Sequence, residues 1–181
     1  MPKPVYLNLQ APINQDVAVK VVAAVRTNLK EGMTELHLLM ASPGGFIDPG
    51  MAIYKFLRAI PVPVSTYNYG SVDSVAGVIY CAGSHRVATP HCKFLIHGIT
   101  WTFRQPTTVT EHQLREYIGQ IEAMKRNIAS VLAEATGKGQ ADAEADITKS
   151  VTLTAEQAVQ YGLVHELKTA LIPAGVDVVG I

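Results

Sequence analysis

Between Val62 and Gly83 the chain changes its hydrophobic period, and that change restricts what it can fold into. An apolar, β-branched run from Val62 to Tyr67 passes through Asn68 and Gly70. It then gives way to Val75, Val78, Ile79 and Ala82 at helical spacing. The pattern predicts a strand, a tight turn and a helix. Ser74 falls in the first helical turn, where free backbone N–H groups and the helix dipole favour developing negative charge. A serine there can be a nucleophile or a helix cap, and serine is strongly favoured as a cap.

The flanking sequence extends this unit in both directions. Val5 to Leu9 reads as a strand, followed by a helix from Asp16, taken as its N-cap, to Lys30. Leu36 to Ala41 is almost wholly apolar, as expected of a strand buried on both faces, and Ser42-Pro43-Gly44-Gly45 follows directly. A helix starts near Asp48 with Pro49 in its first turn, and Pro61 and Pro63 end it. Arg86 to Ala88 and Phe94 to Ile96 are two further short strands. The β-α-β-α-β-α-β order predicts an α/β fold with a parallel-rich sheet and crossover helices. In such sheets functional residues gather at the carboxyl ends of strands, where Ser42 to Gly45, Ser74 and His97 fall.

Ile99 to Phe103 alternates and could form a strand, and Arg104-Gln-Pro-Thr-Thr reads as a turn. Thr110 with Gln113 is a capping box opening a helix that Gly137 stops. About 26 residues would make it about 40 Å long, more than a globule of this size needs. It either packs on a partner subunit or lies solvated along its charged face of Arg115, Glu116, Glu122 and Lys125. Lys138 to Lys149 is polar and rich in Ala and Asp. Thr154 with Gln157 opens a short helix that Gly162 ends, Leu163 to Leu167 returns as a strand, and Thr169 to Ile181 is an apolar tail.

Composition excludes several function classes. The 181 residues are 48% hydrophobic and 17% charged, enough for one domain with its own core. Fifteen basic and fifteen acidic residues cancel, so charge gives no argument for nucleic acid or an anionic membrane. Cys81 and Cys92 form neither a disulfide framework nor a metal box, and no metal or cofactor is expected. The N-terminus lacks a signal-peptide pattern, and Asn68, Asp73 and glycines break the longest weakly charged run. A soluble, cytoplasmic protein is expected.

Acyl transfer needs a nucleophile, a base within hydrogen-bond reach and donors aimed at an oxyanion. Ser74 supplies the first and His97, ending an apolar strand, the second. The backbone N–H groups of Gly45, in a glycine pair, and of Val75, in the helix's first turn, would form the oxyanion hole.

These segments resemble the proteolytic subunit of the Clp protease family, serine peptidases sharing a wider fold with the crotonases. Ser42-Pro43-Gly44-Gly45 and Gly50-Met51-Ala52-Ile53-Tyr54 match one family segment. Val64-Ser65-Thr66, Gly70 and Ser74 match the segment carrying the nucleophile, Leu95-Ile96-His97 the segment carrying the base, and Leu153 to Val164 the closing helix-strand signature. The similarity runs from about Val5 to Leu167. It implies a ClpP/crotonase-like fold of repeated β-β-α and β-α units in a single domain over residues 1–181, with a protruding handle at about 98–137. It also implies Ser74 as nucleophile, His97 as base, Gly45 and Val75 as oxyanion donors, peptide or unfolded-protein substrates, and self-association into a ring or other homo-oligomer.

The departures are specific. The family's catalytic aspartate aligns with Ser150, a hydroxyl that can orient an imidazole without stabilising imidazolium by charge. Asp146 is a substitute only if it swings in, and otherwise a solvated loop carboxylate. Asp73 stands where the family carries a small residue and could perturb His97 or line the substrate pocket. Gly98-Ile99, Trp101 and Phe103 replace the family's residues after the histidine. No counterpart of the family's N-terminal axial segment precedes the first strand, so docking of an AAA+ unfoldase is doubtful. The expected activity is a Clp-like serine endopeptidase acting through an acyl-enzyme. The alternatives are a catalytically impaired paralogue with a structural or regulatory assembly role, an acyl-CoA hydratase or thioesterase, and a serine-lysine dyad using Lys93 or Lys125.

Overall fold

The structure is a computed structural model and describes residues 3–103 and 107–181. The first expected strand is β1 (Pro4–Leu9), followed by α1 (Gln15–Lys30), β2 (Glu35–Ser42) and α2 (Ile47–Ala59). Asp16 is not the cap of α1. Asn14 is, its side-chain oxygen accepting from the Val17 N–H at 2.9 Å, while Asp16 sits in the first turn. β2 is buried on both faces as its composition demands. Leu36, Leu38 and Met40 join the main core, and Leu39 packs on the opposite face with Tyr6, Tyr67 and Val87.

The central stretch differs from the expected short strand and turn. β3 runs from Val64 to Asp73, straight through Asn68 and Gly70, before α3 (Val75–Tyr80). Its length follows from a fork in the sheet. Ser65 to Asn68 pair in parallel with β4 (His85–Ala88), and Ser71 to Asp73 pair in parallel with β5 (Lys93–Ile96). Asn68 holds the fork: its amide donates to the Lys93 carbonyl at 2.9 Å, and its side-chain oxygen accepts from the Gly70 N–H at 2.9 Å. The polar residues that resembled a turn are the pins of a divided strand.

After β5 the chain is irregular as far as Phe103, so the strand expected at Ile99 to Phe103 does not form. The turn expected from Arg104 falls largely on residues 104–106, outside the described residues. Trp101 and Phe103 instead pack on Tyr117, with ring centroids 5.0 and 5.4 Å apart. α4 (Glu111–Thr136) begins with the expected Thr110–Gln113 capping box and ends at Gly137. Its buried residues are Ala129, Val131 and Leu132, all in the last turns, so the preceding length extends away from the core.

The polar Lys138 to Lys149 stretch contains a further helix, α5 (Gln140–Lys149), anchored by buried Ala143 and Ile147. β6 (Val151–Thr154) pairs antiparallel with β5, and the Thr154–Gln157 capping box opens α6 (Ala155–Gln160). The strand expected at Leu163 to Leu167 shrinks to β7 (Glu166–Leu167), parallel to β4. The apolar tail returns beside β1 as a parallel strand, β8 (Val178–Gly180). Its Leu171 and Val176 cover the Tyr6–Leu39–Tyr67–Val87 face. The result is a mixed α/β fold of eight strands and six helices among the described residues. No helix of the described residues is long and apolar enough to cross a membrane.

Candidate active site

Ser74 joins β3 to α3 in a sharp turn, with φ 58° and ψ −132°. That conformation costs a non-glycine residue about 1–3 kcal/mol, and surrounding structure must impose it. The Ser74 N–H donates to the Leu95 carbonyl at 2.7 Å, tying the turn to β5. Ser74 occupies the N-cap position of α3, yet its side chain makes no capping bond. The hydroxyl is free for other chemistry.

The Gly44-Gly45 pair follows β2 with φ of 82° and 152°, both favouring glycine. A Cβ on Gly44 would lie 2.5 Å from the Asp73 carbonyl oxygen and 2.6 Å from the Ser74 Cβ. Only glycine lets this loop lie against the Ser74 turn. Ile13 clamps the other side: its N–H donates to the Gly44 carbonyl at 2.8 Å, and its carbonyl accepts from the Phe46 N–H at 2.9 Å. The Gly45 N–H between them has no acceptor among the described residues. The Val75 N–H, first in its helix, likewise has no intrahelical partner. Gly50 of α2 packs directly on the Val75 side chain, fixing the two helix starts together.

His97 immediately follows β5. Its Nδ1 lies 2.7 Å from the Gly98 carbonyl oxygen. A carbonyl only accepts, so Nδ1 carries a proton, and in the neutral imidazole Nε2 then keeps its lone pair. Gly45, Ser74, Val75 and His97 all line one cavity of about 1060 Å³. No hydrogen bond joins the Ser74 hydroxyl to His97 in this conformation. Such catalytic bonds commonly tighten only when substrate is present. The cavity's inner wall is apolar, built from Val72, Val78, Phe94, Ile96, Ile147 and Leu163, with Met124, Ile128 and Leu132 of α4 alongside.

Ser150 directly precedes β6, and Ile96 pairs with Val151, so Ser150 sits across from His97 one step beyond the last pair. It closes α5 with φ 61° and is exposed. Asp146 is neither a loop residue nor a solvated one. It lies on α5, where its Oδ2 accepts from Lys138 Nζ at 2.6 Å and from the Tyr161 hydroxyl at 2.7 Å. Burial raises its pKa, but Lys138 and Tyr161 outweigh that and hold the carboxyl below its ordinary value. Lys138 also stacks over the Tyr161 ring at 3.9 Å. This carboxylate is committed and does not line the cavity.

Asp73 points to the other face of β3 from Val72. It pairs with Lys93 at 3.5 Å and takes no part in the cavity wall. Lys93 and Lys125 do not line the cavity either, which leaves the serine-lysine dyad without an amine among the described residues. No sequence pattern marks the Gly98 carbonyl, because a backbone acceptor has no residue-type signature. Phe46 also lines the cavity, a place that a lone phenylalanine does not signal in the sequence.

A serine on a strained turn, an imidazole with a free nitrogen, two unpaired amides and an apolar wall together suit acyl transfer. Comparison with known proteins agrees. The family model described as Clp protease matches residues 3–170. The chain belongs to the Clp protease family. Among curated proteins, the ATP-dependent Clp protease proteolytic subunit 2 of Pseudomonas aeruginosa is 33% identical over 134 residues, 73% of this chain. The match spans 65% of that relative's length. Among solved structures, a ClpP1 mutant from Listeria monocytogenes superposes with a TM-score of 0.82 at 22% identity, covering 93% of this chain and 92% of that one. The family's fold is therefore the fold of this chain.

Proposed function

We propose that this protein is a Clp-type serine endopeptidase hydrolysing peptide bonds in short or unfolded polypeptides through an acyl-enzyme. The supporting observation is the convergence of Ser74, His97, Gly45 and Val75 on one cavity with an apolar inner wall. In this reading the substrate carbonyl oxygen faces the Gly45 and Val75 N–H groups. His97 Nε2 takes the Ser74 proton as Oγ forms its bond to the carbonyl carbon. The imidazolium returns that proton to the departing amine, and a water activated by the same nitrogen releases the acyl group. The Gly98 carbonyl holds the Nδ1–H tautomer, an orienting role without a countercharge.

The same reading makes residues 1–181 a single peptidase domain with a handle over about 98–137, working in the cytoplasm as a homo-oligomer. Leu114 and Ile118, 45% and 56% exposed on the extending part of α4, support self-association. The test is hydrolysis of fluorogenic peptides by the wild type, Ser74→Ala and His97→Ala. A pre-steady-state burst lost in both variants is expected. A folded wild type that cleaves nothing would favour an impaired paralogue with an assembly role.

A further inference from the structure

Nine large apolar side chains are exposed among the described residues, and Phe46, at 63%, is the most exposed of them. It is also the one of the nine that lines the cavity. The other exposed phenylalanine, Phe103, packs edge-on against Tyr117, whereas Phe46 has no ring partner among the described residues. Its backbone is held on both sides. The N–H donates to the Ile13 carbonyl at 2.9 Å, and the carbonyl accepts from the Gly50 N–H at 3.3 Å. An aromatic ring on a fixed backbone, one residue from Gly45 and lining the cavity, is placed where a bound substrate can cover it. Phenylalanine has only two side-chain torsions, so little conformational entropy is lost when a ligand immobilises it.

We propose that Phe46 forms a second apolar subsite, separate from the inner wall, that selects a large aliphatic or aromatic side chain flanking the scissile bond. The proposal deepens the peptidase reading and rests on it. The occupant is the substrate itself, because Phe46 is continuous with the Gly45 loop that faces the reacting carbonyl. The inner wall takes one side chain and the Phe46 ring covers a neighbouring one, so bound peptides need two bulky residues close together.

The test uses two peptide sets that share one bulky residue, with either Phe or Ala at each flanking position in turn. Phe46→Ser is expected to lower kcat/KM by roughly 10- to 100-fold for the Phe peptides at one flanking position, the range that apolar side-chain contacts supply. The Ala peptides should change little, and Phe46→Leu should retain most of the preference. Equal loss on both sets, or no loss on either, overturns the proposal. In the Ser74→Ala background, anisotropy of labelled Phe peptides should show weaker binding once Phe46→Ser is added. That readout separates the two ideas: absent hydrolysis by the wild type sinks the peptidase reading, and binding unaffected by Phe46→Ser sinks the subsite.

Discussion

His97 donates its Nδ1 proton to the carbonyl of its own neighbour, Gly98, at 2.7 Å, and no carboxylate among the described residues takes that place. The imidazole is oriented by a neutral backbone dipole. Ser150, across the β5–β6 ladder, is where a charge would have to enter. Ser150→Asp should therefore raise kcat on peptides. We expect roughly tenfold or more, bounded by the ~10⁴-fold that the carboxylate is worth in a complete triad. The left-handed backbone at Ser150 suits aspartate, a residue type enriched in that region. Steady-state kinetics of the folded variant check this, and an unchanged or lower kcat would count against the assignment of His97 as base.

Gly44 carries the contact between the glycine loop and the nucleophile turn. Gly44→Ala puts a methyl group against the Asp73 carbonyl and the Ser74 Cβ, and it adds left-handed strain. Displacing the turn by an ångström is enough to lose about 10²-fold in turnover. The expected outcome is a folded protein with lowered Tm and peptide hydrolysis reduced by at least that factor. The two readouts come from calorimetry and initial rates.

Asp146 is a clamp between α5, α6 and the end of α4. Its folded pKa lies below the unfolded value, so its contribution is present above about pH 4 and is lost as pH falls through the native pKa. Asp146→Asn should cost about 1.5–3 kcal/mol at pH 7, the range for a charge-assisted hydrogen bond. The gap between variant and wild type should close at strongly acidic pH. Urea titrations at several pH values measure it, and a gap that widens on acidification would contradict the clamp.

Leu114 and Ile118 are one helical turn apart on the extending part of α4. Replacing both with aspartate should leave the circular dichroism spectrum intact and shift sedimentation to smaller species. An unchanged sedimentation profile would place self-association elsewhere.

The helices were legible where chemistry is local. Thr110 with Gln113 and Thr154 with Gln157 announce two capping boxes, and the structure forms both. The glycine pair and the strand-end serine and histidine were also readable, because loop glycines and polar residues ending apolar runs stand out against their surroundings. What stayed hidden depends on distant partners. β3 continues through Gly70 only because Asn68 bridges to Lys93, and α5 forms because Ala143 and Ile147 find the core. β8 exists because β1 offers an open edge. The orienting group of His97 was illegible for a different reason: any residue supplies a carbonyl.

The most direct measurement is mass-spectrometric mapping of the folded protein after treatment with a fluorophosphonate. A single adduct on Ser74, absent in Ser74→Ala and much slower in His97→Ala, is the predicted result. A folded wild type with no adduct on Ser74, or with labelling indifferent to His97, would contradict the assignment of Ser74 as an activated nucleophile.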